Sequence, residues 1–185
     1  SGTRKPARSS AGLTAITAFL LLPFALYRLL ETVDRNLAVL MVVLAVASVP
    51  ISLVNKAHDL DVLWLLSGAD YLKAFATEQL HAQVMLALKA SGNAAVVAEL
   101  FWGLWLLPFG YLVFKSGFLP RILGILLMIG CFGYLTEVFG RMLFPQGYAA
   151  AGISGYMIVP SALGEVGICL WLLIMGARAK SRSIT

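Results

Sequence analysis

Charge is scarce in this sequence. Only 12% of its 185 residues are Asp, Glu, Lys or Arg, about half the proportion that wets the surface of a soluble domain. A soluble globule and a disordered chain are both excluded on that ground, since each needs polar surface that this chain does not carry. Cysteine is scarce too. Cys131 and Cys169 each sit inside an apolar run, where a thiol behaves as a small hydrophobe. They say nothing about redox compartment, and no Cys/His metal spacing is present. The familiar catalytic signatures are also missing: there is no G-x-S-x-G, no G-x-x-x-x-G-K-[ST] and no H-E-x-x-H. No catalytic residue, cofactor or metal is assigned, and enzymatic activity is not the expectation.

What the chain has in quantity is apolar surface. Hydrophobic residues make up 60% and aromatics 11%, with 17 Gly and a mean hydropathy of +0.88, a composition suited to facing hydrocarbon. The net charge of +5 does not point to nucleic acid, because the basic residues gather at the ends of apolar runs, where they anchor helices. A crossing helix needs about 20 apolar residues. Five runs meet or nearly meet that length, over residues 11–30, 37–54, 94–114, 119–144 and 154–177. They lack the period-two alternation of a β-barrel. The sequence therefore predicts an all-α integral membrane bundle of about five transmembrane helices.

The connections give the topology. Residues 31–36 and 115–117 are short enough to make their flanking helices antiparallel neighbours, and Pro120 opens the next helix. The long connection, 55–93, holds an apolar stretch at 60–66 too short to cross and suited to the interface. After it, residues 78–89 read as an amphipathic helix. Residues 1–10 read as a flexible basic lead, 11–177 as the transmembrane domain and 178–185 as a basic tail. The Ser-Gly opening without Met suggests a truncated or processed start. Arg28, Arg35, Lys115 and Arg121 in or beside short loops favour their side as cytoplasmic, with 55–93 outside.

The run Phe101-Trp102-Gly103-Leu104-Trp105-Leu106-Leu107-Pro108-Phe109-Gly110-Tyr111-Leu112-Val113-Phe114-Lys115-Ser116-Gly117-Phe118-Leu119-Pro120-Arg121-Ile122-Leu123-Gly124 resembles a bacterial polytopic membrane family known as domain of unknown function 4386. Residues 33–38 (VDRNLA), 67–72 (SGADYL), 78–80 (EQL) and the Gly164-Glu165 pair before a Leu/Trp-rich run are similar to the family's other segments. The resemblance implies a multi-pass protein of the bacterial cytoplasmic membrane. Members have about six spans, which implies that a first span is missing here. The resemblance carries no activity and no catalytic residues.

Candidate site residues come from the cost of charge in hydrocarbon. An ionisable group within a span calls for a partner, a cavity or a task. Glu99, Glu137, Arg141 and Glu165 are such groups. On an antiparallel layout Glu99 and Glu137 sit roughly 8 to 10 Å below one membrane face and Glu165 roughly 16 Å below it. All four are then expected to border one outward-opening cavity. Glu137 and Arg141 are i,i+4 and stack on one helix face, and Arg141 can also reach Glu99. Pro160 is expected to leave the carbonyl of Tyr156 free, and Trp102 to belong to an aromatic belt or to wall a ligand pocket. Glu165, a neutral acid at mid-depth, can donate to a ligand or exchange a proton. The i,i+3 pairs His58/Asp61 and Glu78/His81 resemble a weak metal pattern in a wet connection, better read as solvated residues. The expected function is binding, transport or sensing of a lipid-like or small amphipathic ligand around Glu165. The alternative is an accessory subunit of a larger membrane complex, whose charged residues only pack helices. Membrane lipids, other membrane subunits or a second copy are the expected partners.

Overall fold

The computed structural model describes residues 4–153 and 155–175, with side chains from residue 14 onward. The described residues form seven α-helices and no strand: α1 (Arg4–Leu30), α2 (Arg35–Leu65), α3 (Thr77–Leu104), α4 (Leu106–Ser116), α5 (Arg121–Leu143), α6 (Pro145–Ala151) and α7 (Val159–Met175). Four stretches are long and apolar enough to cross a membrane: Arg35–Leu65, Thr77–Ser116, Arg121–Leu143 and Tyr156–Met175, with Thr14–Leu30 a shorter apolar helix. The fold is an all-α bundle of membrane type. Apolar side chains such as Leu21, Phe132, Leu173 and Ile174 are exposed along its outside, as expected where the solvent is hydrocarbon.

α3 and α4 are one path with a break at Trp105. Pro108 has no N–H, and its ring crowds the carbonyl four residues back, that of Leu104, where α3 ends. α2 runs antiparallel to α3 and α4, and α5 packs on α3, α4 and α7. The core lies where these meet, with Met41, Ala45, Leu106, Phe109, Leu112 and Leu127 buried. Trp105 stacks on Phe109 (5.2 Å between centroids) and meets Phe19 edge-on (5.6 Å), so these rings are packing groups.

Several expectations on boundaries are revised. The connection predicted over 55–93 narrows to 66–76, because α2 continues to Leu65 and α3 begins at Thr77. Residues 60–66 are thus the last turn and cap of α2, not a separate segment. Polar residues at Asn55, Lys56, His58, Asp59 and Asp61 mark where hydrocarbon character stops, while the backbone ladder goes on. Residues 4–10 of the expected flexible lead lie in α1. The basic tail 178–185, residues 1–3, Ser154 and residues 176–177 lie outside the described residues.

Candidate functional site

Glu137 is fully buried on α5 and is the centre of the polar network. Its Oε1 lies 2.6 Å from Arg141 Nη2, one turn on, as the i,i+4 spacing requires. Its Oε2 accepts the Tyr148 hydroxyl (2.7 Å) and the Gly155 N–H (3.2 Å). Each donor is delivered by local chemistry. Pro145 opens α6 immediately after α5, in the position where a missing N–H costs no helix bond. This turns the chain back, so that Tyr148 lies over α5. Gly140 leaves the space for the Tyr148 ring, which any Cβ there would meet. Gly155, at φ +85°, adopts a turn that only glycine takes without strain.

Arg141 also faces α3. Its Nη1 is 3.7 Å from Glu99 Oε2, long for a hydrogen bond. Glu99 is level with Arg141 because Gly103, one turn further on, lets α3 approach α5 closely: a Cβ at Gly103 would sit 2.6 Å from Tyr134 Cβ. Glu99 Oε2 is buried and accepts no hydrogen bond among the described residues. Tyr148 is outside the spanning helices, and its hydroxyl is pushed up to about 12, first by burial and then by its bond to the Glu137 carboxylate. It therefore stays a donor at any ordinary pH.

Glu99, Glu137 and Arg141 thus come together, but Glu165 does not join them. α7 packs on α5 with Ser161 against Gly130 and Gly164 against Leu127, which puts Glu165 about ten residues, or roughly 15 Å, along α5 from Glu137. It is half-buried at the edge of the stripe Ser161, Gly164 and Ile168. The expected free carbonyl at Tyr156 is also revised. Val159 N–H bonds to it within a 3-10 turn, Tyr156–Ile158, and Pro160 falls in the first turn of α7, where a missing N–H is harmless. The Tyr156 side chain is exposed. Tyr148 and Gly155 are not among the site residues expected from the sequence. The pointer available there was Pro145 following the Glu137/Arg141 pair, which signals a chain that turns back on the helix end.

Two clefts border these elements. One, of about 370 Å³, lies between α1, α2 and α3 and is lined by Ala15, Ile16, Phe19, Val49, Trp102, Ser52, Asn55 and Lys56. Trp102 Nε1 donates to Ser48 Oγ at 3.2 Å, which fixes its ring as a wall. At the polar end Ser91 Oγ bonds Asn55 Oδ1 and Asp59 Oδ1 (2.6 and 2.8 Å), and Lys56 Nζ bonds Asp59 Oδ2 (2.7 Å). The other, of about 440 Å³, is lined by Gly92, Asn93, Val96, Val97, Arg141 and Met142. Neither is lined by Glu165. His58 Nδ1 is 3.4 Å from Asp61. Among the described residues no group of three or more His, Cys, Asp or Glu is gathered as metal ligands.

An uncharacterized protein of Archaeoglobus fulgidus is 28% identical to this chain over 156 residues, which is 83% of this chain and 74% of that protein. No solved structure matches this chain significantly. The family described as "Domain of unknown function (DUF4386)" matches residues 7–176, nearly the whole bundle from α1 to α7, and the chain belongs to that family.

Proposed function

We propose that this is a non-enzymatic multi-pass protein of the bacterial cytoplasmic membrane that binds a lipid-like or small amphipathic molecule within its bundle. The observation that carries it is the polarity gradient of the cleft between α1, α2 and α3. Ile16, Phe19, Val49 and Trp102 offer apolar walls, while Ser52, Asn55 and Lys56 gather at one end. A molecule with a hydrocarbon body and a hydrogen-bonding head matches both parts, since apolar walls with a few converging polar groups are what ligand sites require. Lys56 is already neutralised by Asp59, which suits an uncharged hydroxyl or amide head better than a strong anion. Glu165 is the competing location within the same function.

Native mass spectrometry of protein released from mild detergent tests this. A bound amphiphile is expected on the wild type, lost in Ala15→Trp, which fills the cleft, and kept in Glu165→Gln. Loss in Glu165→Gln alone would move the site to mid-membrane, and a wild type free of any bound amphiphile would refute the proposal. The exposed Trp64, Leu66 and Tyr71 at the α2–α3 turn favour the second function, that of an accessory subunit. The same spectra would then carry a companion chain instead of a small molecule.

A further inference from the structure

The amphiphile cleft leaves the Glu99–Arg141–Glu137 network unused, and within it Glu99 is the poorly held member. Among the described residues two carboxylates share one guanidinium. Glu137 has the stronger claim on it: three donors converge on its two oxygens, from α5, α6 and the turn before α7. Glu99 has what remains. Its Oε2 is buried without a hydrogen bond among the described residues, and the Arg141 nitrogen facing it stands 3.7 Å away. An ionised oxygen left in this state within a bundle is costly, and the cost falls when the group is neutral.

A route for the neutralising charge is present. The second cleft is lined on α3 by Gly92 and Val96, which share a helix face with Glu99 at i, i+4 and i+7. Glu99 does not itself line it; the cleft ends about one turn of α3 short of Glu99, with Arg141 on the α5 side. A metal cation would need several oxygen ligands, and among the described residues no group of three or more His, Cys, Asp or Glu is gathered here. A proton needs only one carboxyl group.

We propose that Glu99 is a proton-binding site, loaded and emptied through the cleft beside Arg141, while Glu137 stays ionised against Arg141. The groups facing Glu99 from its neighbours are Arg141, Glu137 and Tyr134 on α5 and Tyr148 on α6. On α2 the nearest charges are Lys56 and Asp59. They pair with each other at the level of Ser91, about 12 Å along α3 from Glu99. Glu165, on α7, lies roughly 15 Å off along α5.

The test uses the intact chain in detergent micelles. Infrared difference spectra between high and low pH are expected to show, beside the band of hydrated surface carboxyls, a separate C=O band at the higher frequency of a carboxyl sheltered from water, gained on acidification. That separate band should vanish in Glu99→Gln and persist in Glu165→Gln. An indicator dye in weak buffer should record about one proton per chain fewer taken up by Glu99→Gln than by wild type. The band and the uptake should be the same in sodium and in potassium salts. Equal uptake by wild type and Glu99→Gln would overturn the proposal, as would a band lost only in Glu165→Gln or displaced by either cation. Should Glu99→Gln fail to fold, the wild-type band decides: its absence at every pH refutes a proton on a buried carboxyl, and Glu165→Gln tells whether a band that is present belongs elsewhere.

Discussion

Glu137 shows how one buried charge organises the end of the bundle. Its carboxylate is held by a guanidinium, a phenol and a backbone N–H, so removing any donor leaves a buried acceptor short. Tyr148→Phe removes one without changing shape and is expected to cost about 1.5–3 kcal/mol, the range for a hydrogen bond to a charged group. Thermal unfolding in detergent measures it. The bond also has a pH signature. Because the folded hydroxyl is pushed up to about 12 from its usual 10, its contribution is complete below about pH 10 and is lost as pH rises toward 12. The stability gap between wild type and Tyr148→Phe should close over that window, and a gap that stays constant would assign the cost to packing. Half of this centre was legible in the sequence. The i,i+4 spacing paired Glu137 with Arg141, and the length of the arginine side chain reached Glu99. Tyr148 and Gly155 were hidden because their approach depends on how 144–155 folds back, which no local periodicity encodes.

At the scale of elements, small residues set the distances. α4 and α5 cross where Gly110 and Gly124 face each other: a Cβ on Gly124 would lie 2.6 Å from the Gly110 oxygen and 2.8 Å from the Phe114 nitrogen. Backbone cannot swing aside as a side chain can. Gly124→Ala is therefore expected to separate the helices and destabilise by about 1–3 kcal/mol. Gly147→Ala, in α6 with no atom within 4 Å of the new methyl, should be neutral or stabilising by up to about 1 kcal/mol, because alanine is the better helix former. Equal effects of the two substitutions on the melting temperature would show that the crossing is looser than drawn. The apolar runs announced these helices because hydropathy reports solvent directly. Their ends at 54 and 94 were misplaced for the same reason. Lys56/Asp59 and His58/Asp61 are i,i+3 pairs that support a helix after it has left its apolar surroundings, and a hydropathy window cannot distinguish the end of oil from the end of a helix.

For the molecule as a whole, helix length becomes a statement about where water begins. α5, at 23 residues, spans about 35 Å, close to the thickness of hydrocarbon, whereas the 40 residues from Thr77 to Ser116 span about 60 Å along their path. α3 meets the end of α5 where Glu99 faces Arg141. The first roughly 20 residues of α3, paired with the last turns of α2, therefore project about 30 Å beyond that end. This projection carries Lys56, His58, Asp59, Asp61, Glu78, His81 and Lys89, charge that hydrocarbon would reject. With Cys131 and Cys169 replaced by Ala, Glu78→Cys and Lys89→Cys should react with a membrane-impermeant maleimide. Phe132→Cys, on the exposed outer face of α5, should stay unlabelled until the membrane is dissolved. Arg28, Arg35, Lys115 and Arg121 at the opposite ends of the helices favour that side as cytoplasmic, so labelling at Glu78→Cys is expected in intact cells. Reaction only after permeabilisation would invert the sidedness. Equal reaction at Phe132→Cys in the intact membrane would mean that water, not lipid, covers α5, and the membrane architecture would fail with it.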